Sequence, residues 1–371
     1  MKPSLLTPEH HALATQARAA FAKMEPGAPI DDPTLVCKVA GLGYYRYLVP
    51  GQFGGKLPKV DVRSLCVLRE ELAYRNPAAD SVFAVQGLGS HPVLLAGSPE
   101  QKAALLPKVA DGSALFAFAL TEPDAGSDVA AISTVARKDG EGWVLDGHKR
   151  FISNAGVATH YTVFARTGDG PRGLSAFLVP AQAAGFSFTS MQLMGDHPIG
   201  ELKFVGCRVG PESRVGEEGA GMKLALSTLD VFRSTVGAAA VGMARRALDE
   251  ALGYAKTRRQ FGAPLSDLPA VQALLADSAV ELEASRLLVH LAAATKDAGQ
   301  DRVTYEAAVA KLFATEAAQR IIDRCLQVHG GNGVIRGTPI ERLYRDIRAL
   351  RIYEGASEVQ RLVIARHLLA P

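Results

Sequence analysis

One carboxylate stands in an unusual setting, the run Arg351-Ile352-Tyr353-Glu354-Gly355-Ala356-Ser357-Glu358-Val359-Gln360-Arg361. Ser357 and Gln360 have the spacing of a capping box, so a helix is expected to begin at Ser357 with Glu354 in the turn just before it. A carboxylate there ordinarily faces water or the helix dipole. Held in a dry pocket, the same group is a general base. The run Leu120-Thr121-Glu122-Pro123-Asp124-Ala125-Gly126-Ser127-Asp128 ends an apolar stretch and packs hydroxyls, a proline turn and a glycine turn together, in composition a polar β-loop. Asp230 and Arg233 stand at helical three-residue spacing, the ordinary geometry of a charged pair. Arg258-Arg259-Gln260-Phe261-Gly262 closes a long helical pattern; its guanidinium suits either the helix dipole or a bidentate phosphate contact. Gln327-Val328-His329-Gly330-Gly331-Asn332-Gly333 is glycine-rich but follows a helix pattern instead of a strand. It is therefore read as a glycine-capped helix end and excludes a Rossmann turn.

The elements that must position these residues fall into three textures. Up to about residue 114 apolar residues recur at three- and four-residue spacing over 11–23, 35–40, 62–73 and 99–106, and Gly51-Gln52-Phe53-Gly54-Gly55 is a clear turn. From 115 to 220 short apolar or alternating runs at 115–120, 132–137, 143–145, 160–166, 174–179, 186–191 and 201–209 read as strands. Asp139-Gly140 and Asp146-Gly147 punctuate hairpins there, which points to an antiparallel barrel or sandwich. From 221 to 371 long helical patterns return at 222–258, 268–297, 304–329 and 339–349, with a last one after Ser357, the form of a helical bundle. The expected fold class is α+β and multidomain, with domains at 1–114, 115–220 and 221–371.

Composition narrows the functions. With 41 Lys and Arg against 38 Asp and Glu, and no long basic run, nucleic acid is a poor partner. Apolar stretches such as 115–120 are much shorter than the roughly 20 residues that span a bilayer, and Thr7-Pro8 reads as a helix start, so no membrane insertion and a cytoplasmic location are expected. Cys37, Cys66, Cys207 and Cys325 form no Cys-x-x-Cys pair and are expected to be buried, reduced thiols; the nine histidines show no ligand spacing, so no metal is expected.

The order of these motifs resembles the acyl-CoA dehydrogenase family along nearly the whole chain. Thr121 to Asp128 is similar to the family's Thr-Glu-Pro-x-Ala-Gly-Ser-Asp, and Phe151-Ile152-Ser153-Asn154 to its Trp-Ile-Thr-Asn, with Phe and Ser for Trp and Thr. Arg258 to Gly262 resembles Arg-x-x-Phe-Gly, Gln327 to Gly333 resembles Gln-x-x-Gly-Gly-x-Gly, and Tyr353-Glu354-Gly355 matches the segment carrying the base. Leu268-Pro269 and Ala356 depart from the usual polar pair and Thr.

The resemblance implies FAD as cofactor and removal of two hydrogens across the α and β carbons of an acyl-CoA, with Glu354 as the catalytic base. It implies flavin contacts from Phe118, Leu120, Thr121, Ser127, Phe151, Ile152, Ser153, Ala356 and Glu358, and contacts to the FAD pyrophosphate or a neighbouring subunit's FAD from Arg258, Gln260, Phe261, Gln327, Gly330 and Gly331. Substrate contacts would come from Ser127, Asp230, Arg233, Tyr353 and Gly355, and from a segment at 78–94 with Ser81, Phe83, Ala84, Leu88 and Gly89 at the acyl end. The implied partners are an electron-transfer flavoprotein and further copies in a homotetramer; an oxygen-reoxidised oxidase and a non-catalytic scaffold are the alternatives on the same fold.

Overall fold

The first helices begin where the sequence supplies caps. In the computed structural model, which describes residues 5–25, 34–170, 173–195 and 197–370, Thr7 precedes α1 (Pro8–Phe21) with Pro8 at its first position. α2 (Thr34–Gly41) follows. Asp61 accepts from the Ser64 N–H to start α3 (Val62–Arg75). α4 (Pro77–Ala96) falls on a segment that the helical spacing does not single out, although Asn76 caps it and Pro77 opens it. Its body is buried almost all round, so it has no apolar stripe to read, and Gly87, Gly89 and Pro92 interrupt it. Ser98 and Gln101 cap α5 (Pro99–Asp111) reciprocally.

β1 (Phe116–Ala119), β2 (Val135–Asp139), β3 (Gly142–Ser153), β4 (His160–Arg166), β5 (Leu174–Pro180), β6 (Phe186–Ser190), β7 (Ile199–Val209) and β8 (Arg214–Val215) form one sheet. Its order is β6-β7-β3-β2-β4-β5-β8, with β1 alongside β4. The sheet is mixed: β1 runs parallel to β4, Phe116 opposite His160, and β2 meets β4 in parallel at Val135, while the other pairs are antiparallel. The β2–β3 hairpin lies within the crossover that a parallel pair requires. Asp139-Gly140 does turn this hairpin, but Asp146-Gly147 does not turn the chain. It is a bulge inside β3, where the register against β7 shifts and the Asp146 carboxylate accepts from the Gly206 N–H at 2.7 Å. Along β5, Leu174, Ala176 and Leu178 pack into the helical core, whereas Phe177 and Val179 join Trp143, Tyr161 and Phe204 in a second core.

The remainder is helical: α6 (Gly221–Thr257), a small hairpin of β9 (Arg259–Gln260) and β10 (Ala263–Pro264), then α7 (Pro269–Asp297), α8 (Thr304–His329), α9 (Pro339–Leu350) and α10 (Ser357–Leu368). α6 packs on α7, α8 and α9 and also on α3, which ties the bundle to the N-terminal helices. By length and composition α6 could cross a bilayer, unlike the short apolar stretches expected; 89% of its most apolar window is buried in the bundle. The capping box expected at Ser357 does not form. Ala356 is the N-cap, the Ser357 hydroxyl donates to Glu316, and Gln360 Nε2 donates back to the Gly355 carbonyl at 2.9 Å. Cys66, Cys207 and Cys325 are buried, but Cys37 is exposed, because α2 turns that side outward.

Candidate active site

Where the sheet meets α3, α4, α6 and the turn between α9 and α10, a cavity of about 390 Å³ opens. The sheet side contributes Phe118, Leu120, Thr121, Ser127, Phe151, Ile152 and Ser153; α6 contributes Asp230 and Arg233; the turn contributes Tyr353, Glu354 and Gly355. Segments separated by more than 200 positions in the chain thus converge on one space. The other expected cofactor contacts do not line it. Ala356 caps α10, and Glu358 is exposed on its first turn. Arg258 ends α6, and Phe261 and Gly262 form a tight turn with φ of 53° and 82°, the pattern of a type I′ turn, with Phe261 92% exposed. Gln327, Gly330 and Gly331 end α8, and this end approaches that of α6: Tyr254 stacks on His329 at 4.6 Å, and Asn332 donates to the Tyr254 hydroxyl at 2.9 Å. The helix ends that carry these two motifs meet each other through Tyr254, outside the cavity.

A buried ion pair fixes the strand end bearing Thr121. Lys149 Nζ donates to the Glu122 carboxylate at 2.8 Å and to the Leu120 carbonyl at 3.0 Å, and the Arg150 N–H donates to the Thr121 carbonyl at 2.9 Å. The other Glu122 oxygen accepts from both the N–H and hydroxyl of Ser133. Burial pushes the Glu122 carboxyl up, but the Lys149 ammonium and the donors around it prevail and bring it down to about 2; burial lowers Lys149 to about 8 against the attraction of Glu122. Phe151 adopts a left-handed φ of 56° and is 50% exposed, with the Arg150 guanidinium 5.1 Å from its ring centre. Ser153 Oγ lies 3.2 Å from His197 Nε2, and burial lowers His197 to about 4, so its imidazole is neutral.

Glu354 also has left-handed backbone, φ 52°, followed by Gly355 at φ 92°. Arg233 Nε donates to the Glu354 carbonyl at 3.4 Å, and Lys311 Nζ donates to the Gly355 carbonyl at 2.8 Å, which clamps the turn from α6 and α8. The carboxylate is left over: Glu354 Oε2 is buried with no hydrogen-bond partner. Removal from water raises its pKa, opposed by the charges of Arg69, Lys311 and Arg233 and reinforced by Asp80. Asp230 differs. One of its oxygens accepts from Arg233 at 3.1 Å and the other from the Thr304 hydroxyl at 2.6 Å.

α4 presents Ser81, Ala84, Val85 and Leu88 to the cavity, one helical face; Phe83 instead stacks on Tyr45, and Gly89 packs against β1. Sequence reading missed Arg69, His197, Arg302, Thr304, Lys311 and the α10 residues Val359 and Val363 at or behind this wall. Lys311 did carry a signal, the lone charge in the stretch 307–315 of α8, which must find a partner if buried. Arg69 carried none, because its partner Asp80 lies on the next helix and no local spacing reveals the pair.

Family models for the N-terminal, middle and C-terminal domains of acyl-CoA dehydrogenase match residues 7–113, 117–207 and 219–369. The chain belongs to the acyl-CoA dehydrogenase family. The human short-chain specific acyl-CoA dehydrogenase, mitochondrial, is 40% identical over 99% of this chain and 92% of its own. Butyryl-CoA dehydrogenase from Megasphaera elsdenii superposes with a TM-score of 0.93 at 33% identity over 100% of both chains. A chain solved in work on the electron transferring flavoprotein of Acidaminococcus fermentans gives 0.93 at 34% identity, again over 100% of both. The protein is an enzyme of the acyl-CoA dehydrogenase type, and acyl-CoA dehydrogenases are FAD-dependent. The cavity fits that cofactor's flat ring: Phe151 offers a half-exposed aromatic face, and the hydroxyl-bearing Thr121, Ser127 and Ser153 offer hydrogen bonds around it.

Proposed function

We propose that this acyl-CoA dehydrogenase oxidises a neutral acyl-CoA to its trans-2-enoyl thioester with Glu354 as the base that removes the α-proton. The observation that carries this reading is the unpartnered Glu354 Oε2 in the cavity wall. Asp230, the other carboxylate there, has both oxygens committed to Arg233 and Thr304. A proton acceptor needs a free lone pair facing the substrate, and burial raises the carboxyl's proton affinity towards that of a weak carbon acid. The clamp from Arg233 and Lys311 keeps the turn from moving as the charge on Glu354 changes.

When bound, FAD supplies the two-electron acceptor for the β-hydrogen. Phe118, Phe151 and Tyr353 exclude water, and Thr121, Ser127 and Ser153 orient the ring and thioester. The neutral acyl group is supported by the α3–α4 wall, where Ser81, Ala84, Val85 and Leu88 carry no charge and Arg69 is already paired with Asp80. Among the described residues of that α3–α4 wall an ω-carboxylate would find no unpaired cation.

Reoxidation by an electron-transfer flavoprotein is supported by the likeness to the Acidaminococcus fermentans chain. Assembly as a homotetramer is supported by Arg258, Phe261 and Gln327 facing outward, since contacts to FAD from those positions call for a second copy. A panel of acyl-CoAs with a dye acceptor tests the substrate class: neutral acyl-CoAs should turn over fastest, and faster turnover of glutaryl-CoA would refute it. Peroxide production in air at the dye-linked rate would instead identify an oxidase.

A further inference from the structure

Arg69 on α3 and Asp80 on α4 form an ion pair whose side chains are each 1% exposed. Arg69 Nε and Nη2 donate to the two Asp80 oxygens at 2.9 and 2.8 Å, and Nη1 donates to the Thr235 hydroxyl of α6 at 2.8 Å. Three helices therefore fix one guanidinium, and that guanidinium lines the cavity with Tyr353 and Glu354. A pair this deeply buried is costly to desolvate and is often replaceable by apolar groups of the same volume, so core packing alone does not call for it.

The groups facing the Glu354 carboxylate come from every element packed around it. α6 brings Arg233, which is bonded to Asp230; α8 brings Lys311, which is bonded to the Gly355 carbonyl; the α9–α10 turn brings Tyr353; α3 and α4 bring Arg69 and Asp80. Among these cations Arg69 alone has a buried acidic partner that also acts on Glu354 with the opposite sign.

We propose that Arg69 and Asp80 are positioning residues for Glu354: Arg69 holds its carboxylate charged inside the dry cavity, and Asp80 limits how strongly it does so. The proposal rests on the reading of Glu354 as the base. Burial raises the Glu354 carboxyl first, Arg69 is the largest influence opposing that rise, and Asp80 adds to it. Deleting the cation must then raise the proton affinity of Glu354, and deleting the anion must lower it.

The test follows the protonated-carboxyl band of Glu354 by infrared difference spectroscopy against pH, the band being assigned by its absence in Glu354→Gln, together with the acid limb of kcat/KM. Arg69→Met should move both to higher pH by about one unit, an approximately tenfold rate loss at a fixed pH on the limb, and Asp80→Asn should move both to lower pH. Arg69→Lys should stay near wild type, and Arg69→Met with Asp80→Asn, which removes both charges, should move the band and the limb to higher pH by less than about one unit, so the proposal stays falsifiable if a single variant fails to fold. Shifts of the same sign, or none in either single variant, overturn the proposal, because a merely structural pair would not shift the band in opposite directions. The infrared titration reports the Glu354 proton whether or not that residue is the base. A band that shifts as stated while the acid limb of kcat/KM stays fixed would therefore fault the assignment of the base and leave the Arg69–Asp80 relation intact.

Discussion

Lys149 and Glu122 do for the cavity-facing strand end what Arg233 and Lys311 do for the turn at Glu354: a charge is buried in order to hold backbone. Removing one partner of such a pair leaves the other uncompensated. Lys149→Met should therefore cost about 3–5 kcal/mol in urea unfolding and release the Leu120 carbonyl, with loss of FAD retention. A loss under 1 kcal/mol with normal flavin content would mean that the strand end does not depend on the pair. The acid side has a definite sign. The Glu122 carboxyl lies lower in the folded state, about 2, than its ordinary 4.5, so its contribution is complete above 4.5 and is lost as pH falls from there towards 2. Glu122→Gln should flatten the stability profile across that window, measured by unfolding at each pH.

At the scale of elements, close approach does as much as apolar pattern. Gly242 of α6 lies against the Glu70 carbonyl of α3, where an added Cβ would collide with backbone. Gly242→Ala should force these helices apart at a cost of about 1–3 kcal/mol, read as a lowered Tm; an unchanged Tm would show that the contact can relax. Elements with one wet face were legible in the sequence. α7, α8 and α9 carry a helical period, and the α6 and α8 patterns end at residues the structure also assigns to their ends. α4 was not, because burial on all sides erases the stripe, nor was the bulge at Asp146-Gly147, because the same dipeptide serves a turn in one sheet context and a kink in another. At the site, Glu354, Thr121 and Phe151 were legible through motif order, whereas Arg69–Asp80 was hidden because a tertiary pair between successive helices leaves no periodic mark.

The whole molecule divides its expected flavin contacts between two places. Phe118 to Ser153 and the turn at Glu354 surround the cavity, while the ends of α6 and α8, with Arg258 and Gln327, meet each other on the outside. In a homotetramer the outward set would serve a neighbouring copy's cofactor, so Arg258→Ala should weaken FAD retention on gel filtration while leaving the fold intact, and sedimentation should give four chains per particle. Full FAD retention by Arg258→Ala would remove that role. Catalysis depends on Glu354, whose Oε2 is the one buried carboxylate oxygen without a hydrogen-bond partner among the described residues. Anaerobic stopped-flow bleaching of the bound flavin by a good neutral acyl-CoA, compared between wild type, Glu354→Gln and Asp230→Asn, tests it most directly. Glu354→Gln should keep its FAD and bind the acyl-CoA yet reduce its flavin slower by at least about a hundred- to ten-thousand-fold, with Asp230→Asn much less affected; near-wild-type reduction in Glu354→Gln together with collapse in Asp230→Asn would contradict the assignment.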